Sequence, residues 1–303
     1  MVLRKIILNY GGCDLLCTEM CSAKAVPTEK VEFSPYFRFL EEEKTKLICQ
    51  IVGNDPIQMA EAAKRIEQEG LAGVNLNFGC AVANIYKQQA GAFILENLSL
   101  AAKIVSTVKK AVSIPVSVKF RLPKNQDPAY FIQLGRCFAQ NGADFLIFHP
   151  RRYPDRRNRP PQWKYIAQLK QAVNIPVFGN GNIFSPKLAQ KMLAQTGCDG
   201  LALGRIAAAR PFIFAQIKGQ FTPCQETYVQ LAKTMLDLLF NYFPPTRALR
   251  LFHKWLPYFA ANFDFGLELY SLLIKAKTQA EITARLDKIY TLRPLAQPNF
   301  TLV

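Results

Sequence analysis

The sequence contains only two histidines, His149 and His253, among its 303 residues. Imidazole is the commonest metal ligand in proteins, so a histidine-rich metal centre is excluded. The eight cysteines include no C-x2-C pair. Cys13, Cys17 and Cys21 recur at every fourth residue, but we interpret their segment as a strand, in which buried cysteine is common. We therefore expect no metal.

The chain also lacks a disulfide framework, a secretory signal and a long apolar run. Reduced thiols in a cytoplasm are the simplest interpretation of cysteines in this setting. No apolar run reaches the length of about 18 residues that a membrane-spanning helix needs. We therefore expect a cytoplasmic protein without a membrane span, and we favour a monomer.

Acidic residues are scarce: 22 Asp and Glu accompany 38 Lys and Arg, which leaves a formal net charge of +16 at pH 7. That excess is larger than solubility requires and favours a polyanionic partner. RNA or DNA is preferred over an anionic membrane, because no long basic amphipathic helix is present. A basic protein without a nucleic-acid role is the alternative.

Short β-rich runs alternate with helical patterns over residues 15–217, which predicts a parallel sheet. The predicted strands are residues 15–20, 46–52, 73–77, 116–120, 145–150, 176–181 and 200–205. They are one short of a (β/α)8 barrel, and the first twelve residues read as a helix. We predict an α/β fold: a (β/α)8 TIM-type barrel that lacks the usual first strand.

After the barrel pattern the sequence becomes helical, with expected interruptions at Pro244-Pro245, Pro257 and Gly266. Proline and glycine both end or weaken helices. We predict three or four helices there. The predicted domains are the barrel, residues 1–222, and a C-terminal all-α domain, residues 223–303.

Polar residues cluster at the carboxyl ends of five predicted strands, which is where the active site of a barrel enzyme lies. The clusters are Asn77 with Cys80, Lys119 with Arg121, His149 with Arg151, Asn180 with Gly181, and Gly204 with Arg205. Each cluster has its own structural explanation. Their shared position nevertheless predicts one active site at the barrel mouth.

The last two clusters have the features of a phosphate site, because late barrel loops commonly bind phosphate through backbone N–H groups. Gly181 permits close backbone approach and Arg205 supplies a guanidinium fork. A plain tight turn explains the glycine equally well. Lys119 needs an anionic partner if it lies near the barrel axis, or its side chain extends outward. His149 is a donor to a cofactor or a core histidine.

The ordered set of motifs resembles the dihydrouridine synthase family, FMN-dependent enzymes that reduce uridine in transfer RNA. The matching segments are TEMCSAKA (18–25), CQIVGNDP (49–56), VNLNFGCAVANIYKQQAGA (74–92), VSVKFRL (116–122), FHPRR (148–152), IPVFGNGNI (175–183) and TGCDGLALGRIAAARPFIF (196–214). Each segment alone is ordinary, whereas their order over nearly the whole chain is specific.

The resemblance implies the roles of the matching residues. Those implied to bind FMN are Gln50, Lys119, His149, Asn180, Gly181, Gly204 and Arg205. Asn77 and Arg121 are implied to contact the flipped uracil, and Cys80 to be the catalytic cysteine. NADPH as the reductant is implied by the resemblance alone, because the sequence itself has no G-x-G-x-x-G nicotinamide motif after a strand.

A cysteine suits the chemistry that the resemblance implies. Reduction of the uracil C5–C6 bond needs a hydride at C6 and a proton at C5, and reduced flavin delivers only the hydride. Ordinary cysteine thiols have a pKa of about 8.5 and are protonated at neutral pH. A thiol at position 80 can therefore act as general acid without special activation.

The target base has to leave the tRNA stack, which costs about a few kcal/mol that contacts with the RNA backbone must offset. One predicted contact surface is the basic loop of residues 149–163, which is a solvated loop in the alternative interpretation. Its arginines are Arg151, Arg152, Arg156, Arg157 and Arg159. A second is the helix face formed by Arg247, Arg250 and Lys254, which recur at i, i+3 and i+7.

Three departures from the family pattern leave alternatives open. The family's usual first strand, which ends in an Ala-Pro-Met-like sequence, has no counterpart; Ala81 replaces a proline, and Asn182 replaces an aspartate. One alternative is a degenerate paralogue that binds RNA without turnover. Another is a flavin- or phosphate-binding barrel enzyme that acts on a small metabolite. The retention of Cys80, Lys119 and His149 favours the active enzyme.

Overall fold

The computed structural model describes residues 1–124, 128–153, 155 and 159–302. These residues form two compact units. The first unit contains Met1 with residues 14–182 and 190–202, and the second contains residues 2–13, 183–189 and 203–303. The predicted domain boundary between residues 222 and 223 separates two regions expected to fold independently, and it stays a prediction.

The first unit is built on a parallel sheet. Its strands are β1 Leu16–Cys17, β2 Cys21–Ser22, β3 Leu47–Val52, β4 Gly73–Phe78, β5 Val116–Leu122, β6 Phe145–Arg152, β7 Val177–Asn180 and β8 Gly200–Ala202. β1 and β2 both pair with β3, and the remaining strands follow in chain order from β3 to β8. The predicted TIM-type α/β architecture is confirmed.

Helices alternate with these strands and continue to the C-terminus. Their bounds are α1 Val2–Tyr10, α2 Pro56–Gln68, α3 Ala83–Lys87, α4 Leu98–Ala111, α5 Pro128–Gln140, α6 Lys164–Ala172, α7 Pro186–Thr196, α8 Arg205–Ala209, α9 Ile213–Ile217, α10 Gln225–Tyr242, α11 Pro245–Ala260, α12 Gly266–Leu273 and α13 Gln279–Arg285. α2 begins where Asp55 accepts hydrogen bonds from the N–H groups of Ile57 and Gln58. Such an N-cap is worth about 1 kcal/mol.

The predicted strand of residues 15–20 is wrong in its extent, because the structure has only β1, Leu16–Cys17, within that range, and a break separates β1 from β2, Cys21–Ser22. Thr18 lies at the break. Its N–H donates to the carbonyl of Ile48 at 3.0 Å, but its hydroxyl, and not a backbone carbonyl, accepts the N–H of Gln50 at 3.0 Å. The side chain thus replaces one backbone acceptor, and pairing with β3 resumes at Cys21.

An aromatic layer fixes the orientation of the central strands. Phe78, Phe120 and Phe148 are fully buried and lie in register on β4, β5 and β6. The rings of Phe120 and Phe148 stack at 4.7 Å between centroids, and both Phe78 and Phe120 contact Phe138 of α5. Side chains alternate along a strand, so the residues next to these phenylalanines face the other side of the sheet.

The second unit contains α1 and the C-terminal helices. Helices α10 to α13 agree with the predicted three or four helices. The interruption expected at Pro257 is wrong, because Pro257 lies inside α11. It occupies the last turn, where α11 loses only one backbone hydrogen bond to the missing N–H. Phe252, Leu256 and Phe259 form the fully buried face of that helix.

Candidate active site

The register of the parallel sheet aligns polar residues of neighbouring strands. Three rows result: Gln50 with Asn75 and Ser117, Asn77 with Lys119, and Arg121 with His149. They alternate with the outward aromatic layer, so they share the inner face of the sheet. The last two rows lie near the carboxyl ends of β4, β5 and β6, which is the active-site edge of this architecture.

The deepest row is joined by side-chain hydrogen bonds. Gln50 Nε2 donates to Asn75 Oδ1 at 2.7 Å, and Gln50 Oε1 accepts from Asn77 Nδ2 at 2.7 Å. Asn75 Nδ2 in turn donates to Ser117 Oγ at 2.8 Å. The sequence interpretation missed Asn75 and Ser117. Their signal was the polar residues at alternate positions of otherwise apolar strands, VNLN and VSVKF.

Cys80 follows β4 in a turn that Asn77 closes. Asn77 Oδ1 accepts the N–H groups of Gly79 at 3.0 Å and Cys80 at 2.9 Å. The carbonyl of Cys80 accepts the N–H of Ala92 at 2.9 Å. The cysteine is half-buried, so its thiol is in neither the apolar core nor open solvent. This position suits a group that has to meet a substrate.

Lys119 is a cation in an unfavourable environment. Its side chain is half-buried on β5, and desolvation lowers its pKa from the ordinary lysine value, with a further lowering from Arg121. Cys17 and Cys80 oppose the shift electrostatically. Across the residues that the structure describes, no carboxylate forms an ion pair with Lys119. The position is therefore suited to an anionic ligand.

Arg121 and Arg151 are both buried where β5 and β6 end. Arg121 Nε donates to the carbonyl of Arg151 at 3.2 Å. Arg151 Nε donates to the carbonyl of Arg159 at 2.9 Å, and its Nη2 to Asn182 Oδ1 at 3.3 Å. The guanidinium of Arg151 thus organises the basic loop from within. Its predicted contact with RNA stays a prediction.

Arg156 and Arg157 lie outside the described residues. Arg152 Nη1 donates to the carbonyl of Pro123 at 3.3 Å, and Arg159 pairs with Asp155 at 2.8 Å. The side chain of Arg159 is 74% exposed, so within the described part of the loop it retains a solvent-facing guanidinium.

Gly181 provides a close backbone approach beside His149. Its φ is +124°, which L side chains rarely adopt, and a Cβ there would lie 2.9 Å from both His149 Cδ2 and Pro161 Cβ. Its carbonyl accepts Trp163 Nε1–H at 3.0 Å. Asn180 Nδ2 donates to the carbonyl of Ala202 at 2.6 Å and links the ends of β7 and β8. Only glycine fits at position 181, beside His149 and Pro161.

The second unit holds the remaining predicted residues. Gly204 precedes α8, and Arg205 begins it. The Arg205 guanidinium lies 5.0 Å from the ring centroid of Phe184 and 5.4 Å from that of Phe300. On α11, Arg250 and Lys254 are exposed, while Arg247 lies 4.7 Å from the ring centroid of Phe243. The structure therefore keeps the predicted basic face.

Two classes of feature are not found within the described ranges. No group of three or more His, Cys, Asp or Glu residues is placed to hold a metal ion. No described helix combines the length and the apolar character that crossing a membrane requires.

The family model for dihydrouridine synthase (Dus) matches residues 1–292. The chain belongs to the dihydrouridine synthase family. This confirms the resemblance seen in the motifs, and with it the assignment to flavin-dependent oxidoreductases that act on tRNA uridine. The roles of single residues are not tested by that match and stay predictions.

Curated Dus relatives come from several bacteria. The chain is 31% identical over 287 residues to a probable tRNA-dihydrouridine synthase of Mycobacterium leprae, covering 91% of this chain and 74% of the relative. It is 38% identical over 168 residues to tRNA-dihydrouridine synthase B of Pseudomonas aeruginosa, covering 55% and 51%. A probable synthase 1 of Synechocystis is 29% identical, covering 95% and 82%.

Among solved structures, the fold resembles that of 6-hydroxypseudooxynicotine amine oxidase from Pseudomonas geniculata, with a TM-score of 0.51. The match covers 77% of this chain and 47% of that chain, at 15% sequence identity. A likeness at this identity concerns the fold alone.

Proposed function

We propose that this chain is a tRNA-dihydrouridine synthase that reduces the C5–C6 bond of a uridine in tRNA, with bound FMN and with NADPH as reductant. One observation carries the proposal above all. Cys80 is half-buried in a turn at the active-site end of β4, within electrostatic range of the cations Lys119 and Arg121. The proposed substrate makes the cytoplasm the expected location.

The residues of the first unit fit a flavin phosphate and ring. Lys119 is a desolvated cation without a carboxylate partner in the described ranges, and the Gly181 backbone packs against His149 at a position where no Cβ fits. The residues that we propose to hold FMN there are Gln50, Lys119, His149, Asn180 and Gly181. The FMN-binding roles of Gly204 and Arg205, which belong to the second unit, rest on the resemblance alone. When bound and reduced, the flavin supplies the hydride for uracil C6.

Cys80 then donates its thiol proton to uracil C5. Proton donation leaves a thiolate, and Lys119 and Arg121 are cations within electrostatic range of that charge. Arg121 and Asn77 are proposed to border the extruded base. We propose that the RNA phosphates are bound by Arg151 and by the α11 face of Arg247, Arg250 and Lys254, because basic side chains bind phosphate.

The direct test is Cys80→Ala. We expect the variant to remain yellow and to be reduced by NADPH at the wild-type rate, because the thiol takes no part in flavin reduction. Dihydrouridine formation in tRNA should fall by at least about 100-fold, the usual contribution of general acid catalysis. Mass spectrometry of the digested tRNA measures the product.

Cys224→Ala is the matched control, since Cys224 is exposed and precedes α10 in the other unit. It should retain full activity. Normal product formation by Cys80→Ala would place the acid elsewhere. A colourless wild-type protein that binds tRNA would instead support the degenerate paralogue, and a yellow protein inactive on tRNA would support an enzyme of small metabolites.

A further inference from the structure

The side-chain amide of Asn77 has all of its hydrogen-bonding capacity engaged within the protein. Its Oδ1 accepts two N–H groups, from Gly79 and Cys80, at 3.0 and 2.9 Å. Its Nδ2 donates to Gln50 Oε1 at 2.7 Å and to Met20 Sδ at 3.4 Å. A carboxamide has two acceptor sites and two donor hydrogens. A direct bond from Asn77 to a substrate would therefore replace one of these contacts.

We propose that Asn77 serves the reaction as a positioning residue for Cys80, and that the row of Gln50, Asn75 and Ser117 holds the Asn77 side chain in place. The inference rests on the proposed role of Cys80 as proton donor. It gives Asn77, beyond its proposed place beside the base, control over the position of the thiol.

The row is anchored in the backbone at both ends. Ser117 Oγ donates to the carbonyl of Val74 at 3.2 Å and accepts from Asn75 at 2.8 Å. Gln50 then bridges Asn75 and Asn77, which lie two residues apart on the same face of β4. From Asn77 the row continues to the N–H of Cys80.

Burial makes this arrangement specific. Asn75 and Ser117 are fully buried, and Asn77 is only 7% exposed. An amide without its partners is costly in such an environment, so a satisfied row favours one set of side-chain orientations. The orientation of Asn77, and with it the turn that carries Cys80, is thereby set from the interior of the sheet.

The opposite side of Cys80 is also restrained. Gly91 has a φ of +63°, and a Cβ there would lie 2.7 Å from the Cys80 carbonyl oxygen. The N–H of the neighbouring Ala92 donates to that same oxygen at 2.9 Å. Asn77 holds the N–H side of Cys80, and the chain at Gly91 holds the carbonyl side.

The test measures how fast iodoacetamide alkylates Cys80 in the purified full chain without tRNA, by mass mapping of the labelled peptides. In Asn77→Ala the two N–H groups lose their acceptor, the turn opens more often, and Cys80 should be alkylated about fivefold faster or more. In Asn77→Asp an oxygen acceptor remains, so the rate should stay within about twofold of wild type. Repeating the assay over a pH series separates opening of the turn from altered ionisation of the thiol.

Asn97→Ala is the matched control. Asn97 Oδ1 accepts the N–H of Leu100 at 2.9 Å and caps α4, so the variant loses a comparable interaction away from Cys80. Its Cys80 alkylation should equal that of the wild type. Cys224 serves as an internal reference for labelling in every sample, because it is exposed.

Activity provides the second measurement. The kcat for tRNA reduction should fall in Asn77→Ala and be partly restored in Asn77→Asp. Unchanged Cys80 alkylation in Asn77→Ala would overturn the positioning role, whether or not the protein makes dihydrouridine. Absence of dihydrouridine from the wild-type reaction would overturn the proposed function instead.

A fallback keeps the test decisive if Asn77→Ala does not fold. Asn77→Ser retains a hydroxyl acceptor that is too short to reach Gln50, and serine closes such turns more weakly than asparagine. Cys80 should then be alkylated more than about twofold faster than in wild type. A rate equal to wild type in that variant would contradict the proposal.

Discussion

At the scale of single residues, Lys119 is a cation whose surroundings disfavour its own charge. Desolvation lowers its pKa, and the neighbouring Arg121 adds to the shift. A protein tolerates the unfavourable free energy of a desolvated charge when a ligand supplies the missing counter-charge. The charge of Lys119 therefore destabilises the flavin-free protein, and a bound anionic ligand would remove that destabilisation.

We expect Lys119→Met to stabilise the flavin-free protein by about 1–3 kcal/mol, because it removes a poorly solvated cation and keeps the side-chain volume. The same variant should bind FMN more weakly. Urea unfolding of the flavin-free protein and a fluorescence titration with FMN measure the two effects. A variant that is less stable and binds FMN normally would contradict this role of Lys119.

The sign of the pH effect follows from the lowered pKa. The cost of the Lys119 charge is fully present below the folded-state pKa, and it is relieved as the pH rises through that value toward about 10.4, the ordinary lysine pKa. The stability that the wild type gains over this interval should be absent in Lys119→Met.

At the scale of elements, the break between β1 and β2 shows how one side chain can take the place of a backbone acceptor in a sheet. The Thr18 hydroxyl accepts the N–H of Gln50, and it also donates to the carbonyl of Glu19 at 2.7 Å. Thr18 is buried, so water cannot readily replace it as acceptor. The backbone N–H of Gln50 thus depends on a residue that lies between β1 and β2. The side chain of Gln50 belongs to the amide row.

Thr18→Val should destabilise the protein by about 1–3 kcal/mol, because it keeps the shape but leaves the N–H of Gln50 without an acceptor. Thr18→Ser is the control: it keeps the hydroxyl and removes only a methyl group, at about 1 kcal/mol or less. Urea denaturation compares the two. Equal stability of Thr18→Val and wild type would show that the hydroxyl is dispensable.

At the scale of the whole molecule, the net charge of +16 is the property most directly related to an RNA substrate. Binding of basic proteins to nucleic acids releases counterions, so affinity falls as salt rises. The α11 face concentrates three of the positive charges, and Arg250 and Lys254 are exposed on it. The contribution of the α11 face to tRNA binding can be separated from the general effect of net charge.

We expect the combined change of Arg247, Arg250 and Lys254 to Gln to reduce the slope of log K against log salt for tRNA binding by about 2–3, because each phosphate contact contributes about 0.7–0.9. Changing Lys103, Lys110 and Lys191 to Gln removes the same charge from exposed positions on α4 and α7. That control should alter the slope by less than about 1. Equal effects of the two triple variants would assign binding to net charge alone.

Local signals in the sequence were enough to predict much of the fold. Apolar β-rich runs predict strands wherever both faces are buried, and the Asp55-Pro56 start and the glycine-terminated end of α2 are short-range features. The polar strand ends were predictable for the same reason, since parallel strands bring their carboxyl ends to one edge. Only the order of the motifs indicated the family.

The sequence by itself thus determined the class of fold, the edge at which the polar residues gather and the basic character of the molecule, because these follow from composition and local periodicity. Tertiary structure decided that the Thr18 side chain pairs with β3 between β1 and β2, that Arg151 is buried, and that Asn75 and Ser117 form one hydrogen-bonded row with Gln50. Each of these depends on a hydrogen-bond partner far away along the chain, and periodicity within one segment carries no information about such partners.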